Sequence, residues 1–290
     1  MDQHPKPLDW LLLFFLALIW GSSFILMKKG LESFRPDQVA TLRIVITAIV
    51  LLPFAWIRRK EASPAKVKTI LLQGMFGNFI PAFLFPAAQA HIDSSVAGIL
   101  NALSPVWVFV VGIFFFQSKY NWIKLIGIAV AFSGVILLML YQPKHGATTN
   151  PNFAWLIVAA TLCYGISANM IKKYLYDVRP ITITALSFAI MLIPSLVYLF
   201  FTGFMQTLSD HPEAFASLGY IAILATMGSA VASVTFNKII HRTSALFAAS
   251  VTYLIPIVAL GWGFLVNEQI GLIDLFGMIM IFAGVYLVSR

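Results

Sequence analysis

Long apolar runs separated by short polar connections extend over almost the whole chain. An α-helix needs about 20 predominantly apolar residues to cross a bilayer. Ten runs reach roughly that length: 8–27, 38–57, 67–90, 94–116, 122–141, 152–172, 180–201, 214–237, 243–266 and 270–289. The pattern predicts an all-α membrane protein with ten transmembrane helices, which we number helix 1 to helix 10 in chain order.

Parts of the chain repeat 144 positions apart. Trp20-Gly21-Ser22-Ser23, Lys28-Lys29 and Arg35-Pro36 correspond to Tyr164-Gly165-Ile166-Ser167, Lys172-Lys173 and Arg179-Pro180. Later in the copies the offset is 150 or 151, as for Gly127/Gly277, Gly134/Gly284 and Pro105/Pro256. The polar stretch 142–151 separates the copies, so we expect halves 1–146 and 147–290, which do not fold independently. With five helices in each half, the second begins on the opposite side of the membrane, which predicts inverted repeats.

The composition agrees with a polytopic membrane protein, and the charge gives its orientation. The 290 residues are 60% hydrophobic and 10% charged, and the mean hydropathy is +0.90. With the N-terminus inside, fourteen Lys and Arg residues fall in inner connections and four in outer ones. This bias follows the positive-inside rule and places both termini in the cytoplasm. The +8 charge therefore indicates a lipid bilayer as partner and no nucleic acid, and the lack of a targeting segment suggests a bacterial inner (plasma) membrane.

Residues for chemistry at an active site are scattered. The chain has a single cysteine, Cys163, and its five histidines lie in termini and connections without metal-binding spacing. Gly-rich phosphate loops and Ser/His/Asp arrangements are missing as well. We therefore expect no enzyme, no metal site and no cofactor.

Several motifs match a known family in both halves. They are Trp20-Gly21-Ser22-Ser23-Phe24, Lys28, Pro36, Leu42-Arg43, Ala97 to Val106, Gly127 and Gly134, then Ser244-Ala245-Leu246, Tyr253 to Val258, Glu268 and Ala283-Gly284-Val285. On these residues the whole chain resembles two repeats of the EamA-domain transporters of the drug/metabolite transporter superfamily. It departs from the family pattern at Gln117-Ser118-Lys119, where the first repeat usually has Gly-Glu, and Asn267-Glu268 keeps only the Glu.

The resemblance implies a secondary transporter that moves a small molecule outward by alternating access. Helices 1, 3, 4 and their mates 6, 8, 9 would line a central cavity, helices 2 and 7 would rock, and helices 5 and 10 would brace the bundle. Amino acids or related amphipathic compounds are the expected substrates, since family members export amino acids, drugs and other metabolites. A lipid-linked sugar flippase, which would need a basic phosphate site, and a proton-coupled drug exporter are the alternatives.

Polar and aromatic residues inside the predicted spans are the candidates for substrate binding. Unpaired amides are costly in lipid, so they should face the bundle interior or water, although hydrogen bonds between helices account for such residues about as often. Tyr and Trp rings add a polar group to their apolar surface. The candidates are Trp20, Ser23, Asn78, Phe79, Asn101, Tyr164, Asn169, Ser229, Ser233 and Tyr253.

Three cations and two prolines are further candidates. Arg43 lies inside helix 2, roughly 9 Å from its outer end. Anchoring by snorkelling is favoured for it over binding of a substrate carboxylate. Lys28 and Lys172 end the equivalent helices 1 and 6 and either flank the transport path or snorkel. Pro105 and Pro256 should interrupt helices 4 and 9, where a kink can serve gating.

The acidic residues bear on energy coupling, and the small residues on assembly. All eleven Asp and Glu residues fall in termini, connections or helix edges, so we expect no buried carboxylate to relay protons. This favours facilitated diffusion or exchange over proton coupling. Small residues on helices 5 and 10, including Gly127, Gly134, Gly277 and Gly284, predict close packing within the bundle, with a homodimer face as the alternative.

Overall fold

The computed structural model describes residues 5–116, 122–140, 151–266 and 271–289, and the regular structure of these residues is entirely helical. The linker at 142–150, Gln117-Ser118-Lys119 and Asn267-Glu268 lie outside this part of the chain. The main helices follow the ten predicted runs: α1 (Pro7–Leu31), α2 (Pro36–Arg58), α3 (Pro64–Gln89), α4 (Ser94–Phe116), α5 (Trp122–Leu140), α6 (Ala154–Tyr174), α7 (Pro180–Phe201), α8 (Ala214–Arg242), α9 (Ala245–Leu265) and α10 (Leu272–Ser289).

Within the described ranges, eight of these helices are long and apolar enough to cross a membrane, and α5 and α10 are shorter apolar helices. The prediction of an all-α membrane protein is confirmed. Short helical segments add to the main helices after α2 (Arg59–Glu61), before α6 (Pro151–Phe153) and after α7 (Phe204–Asp210). Gly203, with a φ of 71°, lets the chain leave α7 in the left-handed conformation that ends many helices.

Prolines fix where the helices of each half begin. Pro36 and Pro180 occupy the first turn of α2 and α7, directly after Arg35 and Arg179 of the repeat. A proline in the first turn loses no intrahelical hydrogen bond, and its fixed φ suits the helix. The repeated Arg-Pro dipeptide is therefore the start signal of the second helix in each half.

Four helices are irregular at positions that the repeat relates. The α3 helix contains a π-helical segment, Met75–Phe79, and α8 contains another, Leu224–Val231. The ring of Pro81 would clash with the Gly77 carbonyl of a regular α-helix, which accounts for the extra residue in the α3 turn. The α4 helix breaks between Asn101 and Ser104, and α9 passes through a 3₁₀ turn, Ser250–Tyr253. The predicted interruptions beside Pro105 and Pro256 are confirmed, while their role in gating stays a prediction.

Helices α2 and α7 pack against each other in opposite directions. At one end, Thr182 at the start of α7 donates a hydrogen bond to Glu61 beyond the end of α2, at 2.6 Å. At the other end, the hydroxyl of Tyr198 donates to Asp37 at 3.4 Å. Corresponding helices of the two halves thus run antiparallel, as inverted repeats require.

Helices α5 and α10 meet through glycines. A Cβ added to Gly134 would lie 2.8 Å from the carbonyl oxygen of Gly277, and one added to Gly284 would overlap the backbone of Gly127 and Ala131. Such an approach is possible only without side chains at these positions. The predicted packing within the bundle is confirmed, and a homodimer stays a prediction.

One acidic residue is buried near a helix end. Asp9, in the first turn of α1, is only 2% exposed. It accepts hydrogen bonds from the Arg242 guanidinium at the end of α8 and from the Lys6 backbone. Asp9 is buried because a cation contributed by the other half compensates its charge, and the expectation that no buried carboxylate relays protons stays a prediction. Asp9 lies at the helix edge, as predicted.

Candidate substrate cavity

A cavity lies between the two halves and is lined by eight helices. The volume of the cavity is about 100 Å³, which is several times the roughly 10–15 Å³ that one water molecule needs. Helices α1, α3, α4, α6, α8 and α9 supply most of the wall, and α2 and α7 add Arg43, Ile44 and Phe188. The helices expected to line a central cavity therefore do so, with additional contributions from α2 and α7.

Eight of the predicted residues line the cavity: Trp20, Ser23, Arg43, Asn78, Asn101, Tyr164, Ser229 and Ser233. The cost of an unpaired polar group in lipid is the physical reason that they point away from it. Their part in substrate binding stays a prediction.

Three predicted residues are placed elsewhere. The Asn169 amide donates to the carbonyls of Val108 and Gly165, both at 2.9 Å, so it ties α6 to α4. The Tyr253 hydroxyl donates to the carbonyl of Val285, and the Phe79 ring packs on Phe83. The structure does not bring these three side chains to the cavity wall, because each has a partner within the bundle.

Several lining residues were not singled out from the sequence as binding candidates. Gln73 lies on the cavity wall, is 3% exposed and donates to the Ser167 hydroxyl at 2.9 Å. The argument from amides in lipid applies to it as well as to Asn78 and would have found it. Phe85 and Phe188 also line the cavity, but no sequence signal separates them from the other 23 phenylalanines.

Arg43 faces the cavity from α2, seven residues after Pro36. Its Nε donates to the Ser229 hydroxyl at 2.6 Å. Among the described residues, no carboxylate lies within 4 Å of the guanidinium. The snorkelling interpretation is wrong, because the side chain extends into the protein and hydrogen-bonds across to α8.

The contact between Arg43 and Ser229 has a neutral counterpart in the other half. Ser187 is the repeat mate of Arg43, and Asn78 is the mate of Ser229, at offsets of 144 and 151. The Asn78 amide donates to the Ser187 hydroxyl at 3.4 Å. The two helix pairs that the repeat relates, α2–α8 and α3–α7, are thus each bridged between the halves, but only one bridge carries a charge.

Two amide oxygens of the cavity residues lack hydrogen bonds. The Oε1 atom of Gln73 and the Oδ1 atom of Asn101 are buried without a partner in the described part of the protein. A buried acceptor left unsatisfied costs about 1–3 kcal/mol. Both oxygens are enclosed by protein, so this cost is borne by the fold itself.

Lys28 and Lys172 make equivalent contacts away from the cavity wall. Lys28 at the end of α1 forms an ion pair with Asp93, the residue before α4, at 3.5 Å. Lys172 near the end of α6 donates to the carbonyl of Thr243, just before α9, at 2.6 Å. The two lysines thus bind the connection that leads into the broken helix of their own half, rather than reaching towards lipid head groups.

The sequence matches the model of a known family over most of its length. The model described as "EamA-like transporter family" matches residues 9–140 and again residues 152–290. Both matches fall on the halves that the repeat defines, so each half corresponds to one family unit.

Named relatives and a solved structure are similar over nearly the whole chain. A "Probable terminal-alkyne amino-acid exporter" of Streptantibioticus cattleyicolor is 25% identical over 94% of this chain and 91% of its own. A "Probable amino-acid metabolite efflux pump" of Salmonella typhimurium is 26% identical over 96% and 94%. One crystal structure covers 98% of this chain and 96% of its own with a TM-score of 0.65, and at 14% identity it supports the fold alone.

Proposed function

The chain belongs to the EamA-like transporter family, and from that premise we propose that it exports amino acids or related small metabolites by alternating access. It is a multi-pass membrane protein of a transporter family, not an enzyme. The observation that carries the proposal is the cavity between the halves, whose wall combines amides, hydroxyls and aromatic rings. Such a wall suits a small uncharged or zwitterionic molecule with an apolar part.

The irregular parts of the helices favour alternating access. The π-helical segments of α3 and α8 both contribute to the cavity wall, through Gly77, Asn78, Gly228 and Ser229. Segments of this kind lack regular α-helical hydrogen bonding and are frequent at functional sites. Because the repeat places one of them in each half, corresponding movements can open the cavity to either side in turn.

The charges on the wall favour transport driven by the substrate gradient. The residues that line the cavity include a single cation, Arg43, and no Asp or Glu among the described side chains. A proton relay of the usual carboxylate type is therefore not available at this wall. We propose facilitated diffusion or exchange, with proton-coupled export as the alternative.

The location in the cell is also part of the proposal. The excess of Lys and Arg in the inner connections favours an orientation with both termini in the cytoplasm. The two named relatives are bacterial proteins. We propose that the chain lies in a bacterial inner membrane.

Counterflow in proteoliposomes tests the function. Purified protein is reconstituted with an unlabelled amino acid inside, and entry of the labelled compound is followed for a panel of amino acids, with and without a pH gradient. We expect exchange of at least one amino acid without a gradient. Asn101→Ala should reduce it roughly tenfold, equivalent to about 1.4 kcal/mol, while Asn152→Ala, on an exposed residue, should not.

Two outcomes contradict the proposal in different ways. Exchange that occurs only with a pH gradient would favour the proton-coupled alternative. No exchange of any amino acid would exclude the substrate class and favour drug-like compounds or lipid-linked sugars, which the same vesicles can be used to test.

A further inference from the structure

We propose that the cavity binds a ligand carboxylate through the Arg43 guanidinium and the Ser229 hydroxyl. This inference rests on the proposed function and narrows its substrate class to compounds with a free carboxylate, such as α-amino acids. It assigns one part of the cavity wall to one charged end of the substrate.

Most N–H donors of the Arg43 guanidinium make no hydrogen bond within the described part of the protein. Of its five N–H groups, only the one on Nε has an acceptor among the described residues, the Ser229 hydroxyl. A cation held inside a protein without a counter-ion is costly, and a ligand carboxylate removes that cost. The two Nη atoms provide the parallel N–H groups that bind a carboxylate in bidentate fashion. Ser229 fixes the guanidinium through its Nε atom and leaves the N–H groups on the two Nη atoms available.

The repeat supplies an internal control for the charge. If the Arg43–Ser229 contact served only to join α2 to α8, a neutral pair would be sufficient. The equivalent contact between Asn78 and Ser187 joins α3 to α7 without any charge. A guanidinium in one of two equivalent positions therefore points to a ligand rather than to packing.

The remaining wall suits a substrate with an apolar side chain. Met27, Phe85, Val108 and Phe188 provide apolar surface on the same wall. The cavity thus offers a charged contact for the carboxylate and apolar surface for a side chain.

The test compares leucine with leucinamide in the counterflow assay. Leucinamide keeps the ammonium group and loses the carboxylate. We expect the unmodified protein to exchange leucine at least roughly tenfold faster than leucinamide. Arg43→Gln should slow leucine roughly tenfold and leave leucinamide unchanged, so that the preference disappears. Arg43→Lys, which keeps the charge, should restore part of it.

A matched variant separates recognition from folding. Arg59→Gln makes the same substitution on an exposed residue that lies against the ring of Trp56, and it should retain the full preference for leucine. Thermal unfolding in detergent checks that Arg43→Gln is folded, and its leucinamide exchange is a second check in the same vesicles.

The outcomes distinguish this inference from the proposed function. Equal exchange of leucine and leucinamide by the unmodified protein, or an equal loss of both in Arg43→Gln, would overturn the carboxylate site while amino-acid export stands. Failure to exchange leucine, any other amino acid or any amino-acid amide would overturn the proposed function, and the carboxylate site with it.

Discussion

Ser23 on α1 lies against Gly228 in the π-helical segment of α8, so closely that a Cβ on Gly228 would be 2.7 Å from the Ser23 hydroxyl. The repeat reproduces this contact in the other half, where a Cβ on Gly77 would overlap the hydroxyl of Ser167. Both contacts border the cavity. Each half therefore uses a glycine in its π-helical segment to accommodate a serine from the first helix of the other half on the cavity wall.

Gly228→Ala should destabilise the protein by about 1–3 kcal/mol, the usual cost of overpacking. The added methyl group meets the Ser23 hydroxyl before any other atom, so the double variant with Ser23→Ala should recover much of the loss. Thermal unfolding in detergent measures both changes. Gly219→Ala, with nothing within 4 Å of its added Cβ, is the control, and an equal loss there would show that helix packing is not the cause.

Gly284→Ala should be more damaging than Gly228→Ala. Its added methyl group would overlap the backbone of Gly127 and Ala131 on α5, and backbone cannot rotate away as a side chain can. We expect α5 and α10 to separate, with a larger drop in unfolding temperature than for Gly228→Ala. A smaller drop would mean that these two helices shift past one another at little cost.

Trp20→Phe should reduce transport more than stability. The indole N–H of Trp20 donates to the carbonyl of Gly228 at 2.9 Å, where α8 is π-helical. Phenylalanine keeps most of the ring but loses that bond, worth about 1 kcal/mol, and the wall of the cavity loosens. The counterflow rate and the unfolding temperature of Trp20→Phe are compared with those of a control, Trp155→Phe, which changes a half-exposed residue of α6. Identical transport in the two variants would exclude a role for the bond.

Stability should depend on pH through Asp177, which lies in the connection between α6 and α7. Lys66 donates to its carboxylate at 2.6 Å, and this hydrogen bond holds the pKa of Asp177 below its ordinary value of 3.8. The pKa of Asp177 is lower in the folded protein than in the unfolded chain. The ionised carboxylate therefore stabilises the folded state fully at pH values above the ordinary pKa, and this stabilisation is lost as the pH falls through the pKa of the folded state.

Comparison of the protein with Asp177→Asn measures this contribution. At pH 7 the unmodified protein should unfold at the higher temperature, and by pH 3 the difference should shrink. Asp210→Asn, on an exposed acid outside the main helices, is the control. A difference that stays constant between pH 7 and pH 3 would contradict the assignment.

The helices and the repeat were predictable because their signals are local or directly comparable along the chain. Apolar runs and the Arg35-Pro36 and Arg179-Pro180 dipeptides are visible without any knowledge of contacts. The cost of unpaired amides in lipid placed Asn78 and Asn101 correctly on the interior. That argument did not distinguish a cavity from a helix contact, and Asn169 turned out to bond the carbonyl of Val108.

Other features depend on partners that are distant in sequence. Arg43 meets Ser229 across 186 positions, so its depth in helix 2 alone suggested snorkelling. The π-helical segments change the local spacing by one residue, which a hydrophobic pattern does not resolve. In α8 no proline marks the segment, unlike Pro81 in α3.

The ion pair of Lys28 with Asp93 makes one end of the molecule sensitive to salt. Both side chains are more than one-third exposed, so mobile ions weaken their attraction. The pair joins the end of α1 to the connection that leads into the broken helix α4. A rise in ionic strength on that side of the membrane should therefore loosen the entry into α4.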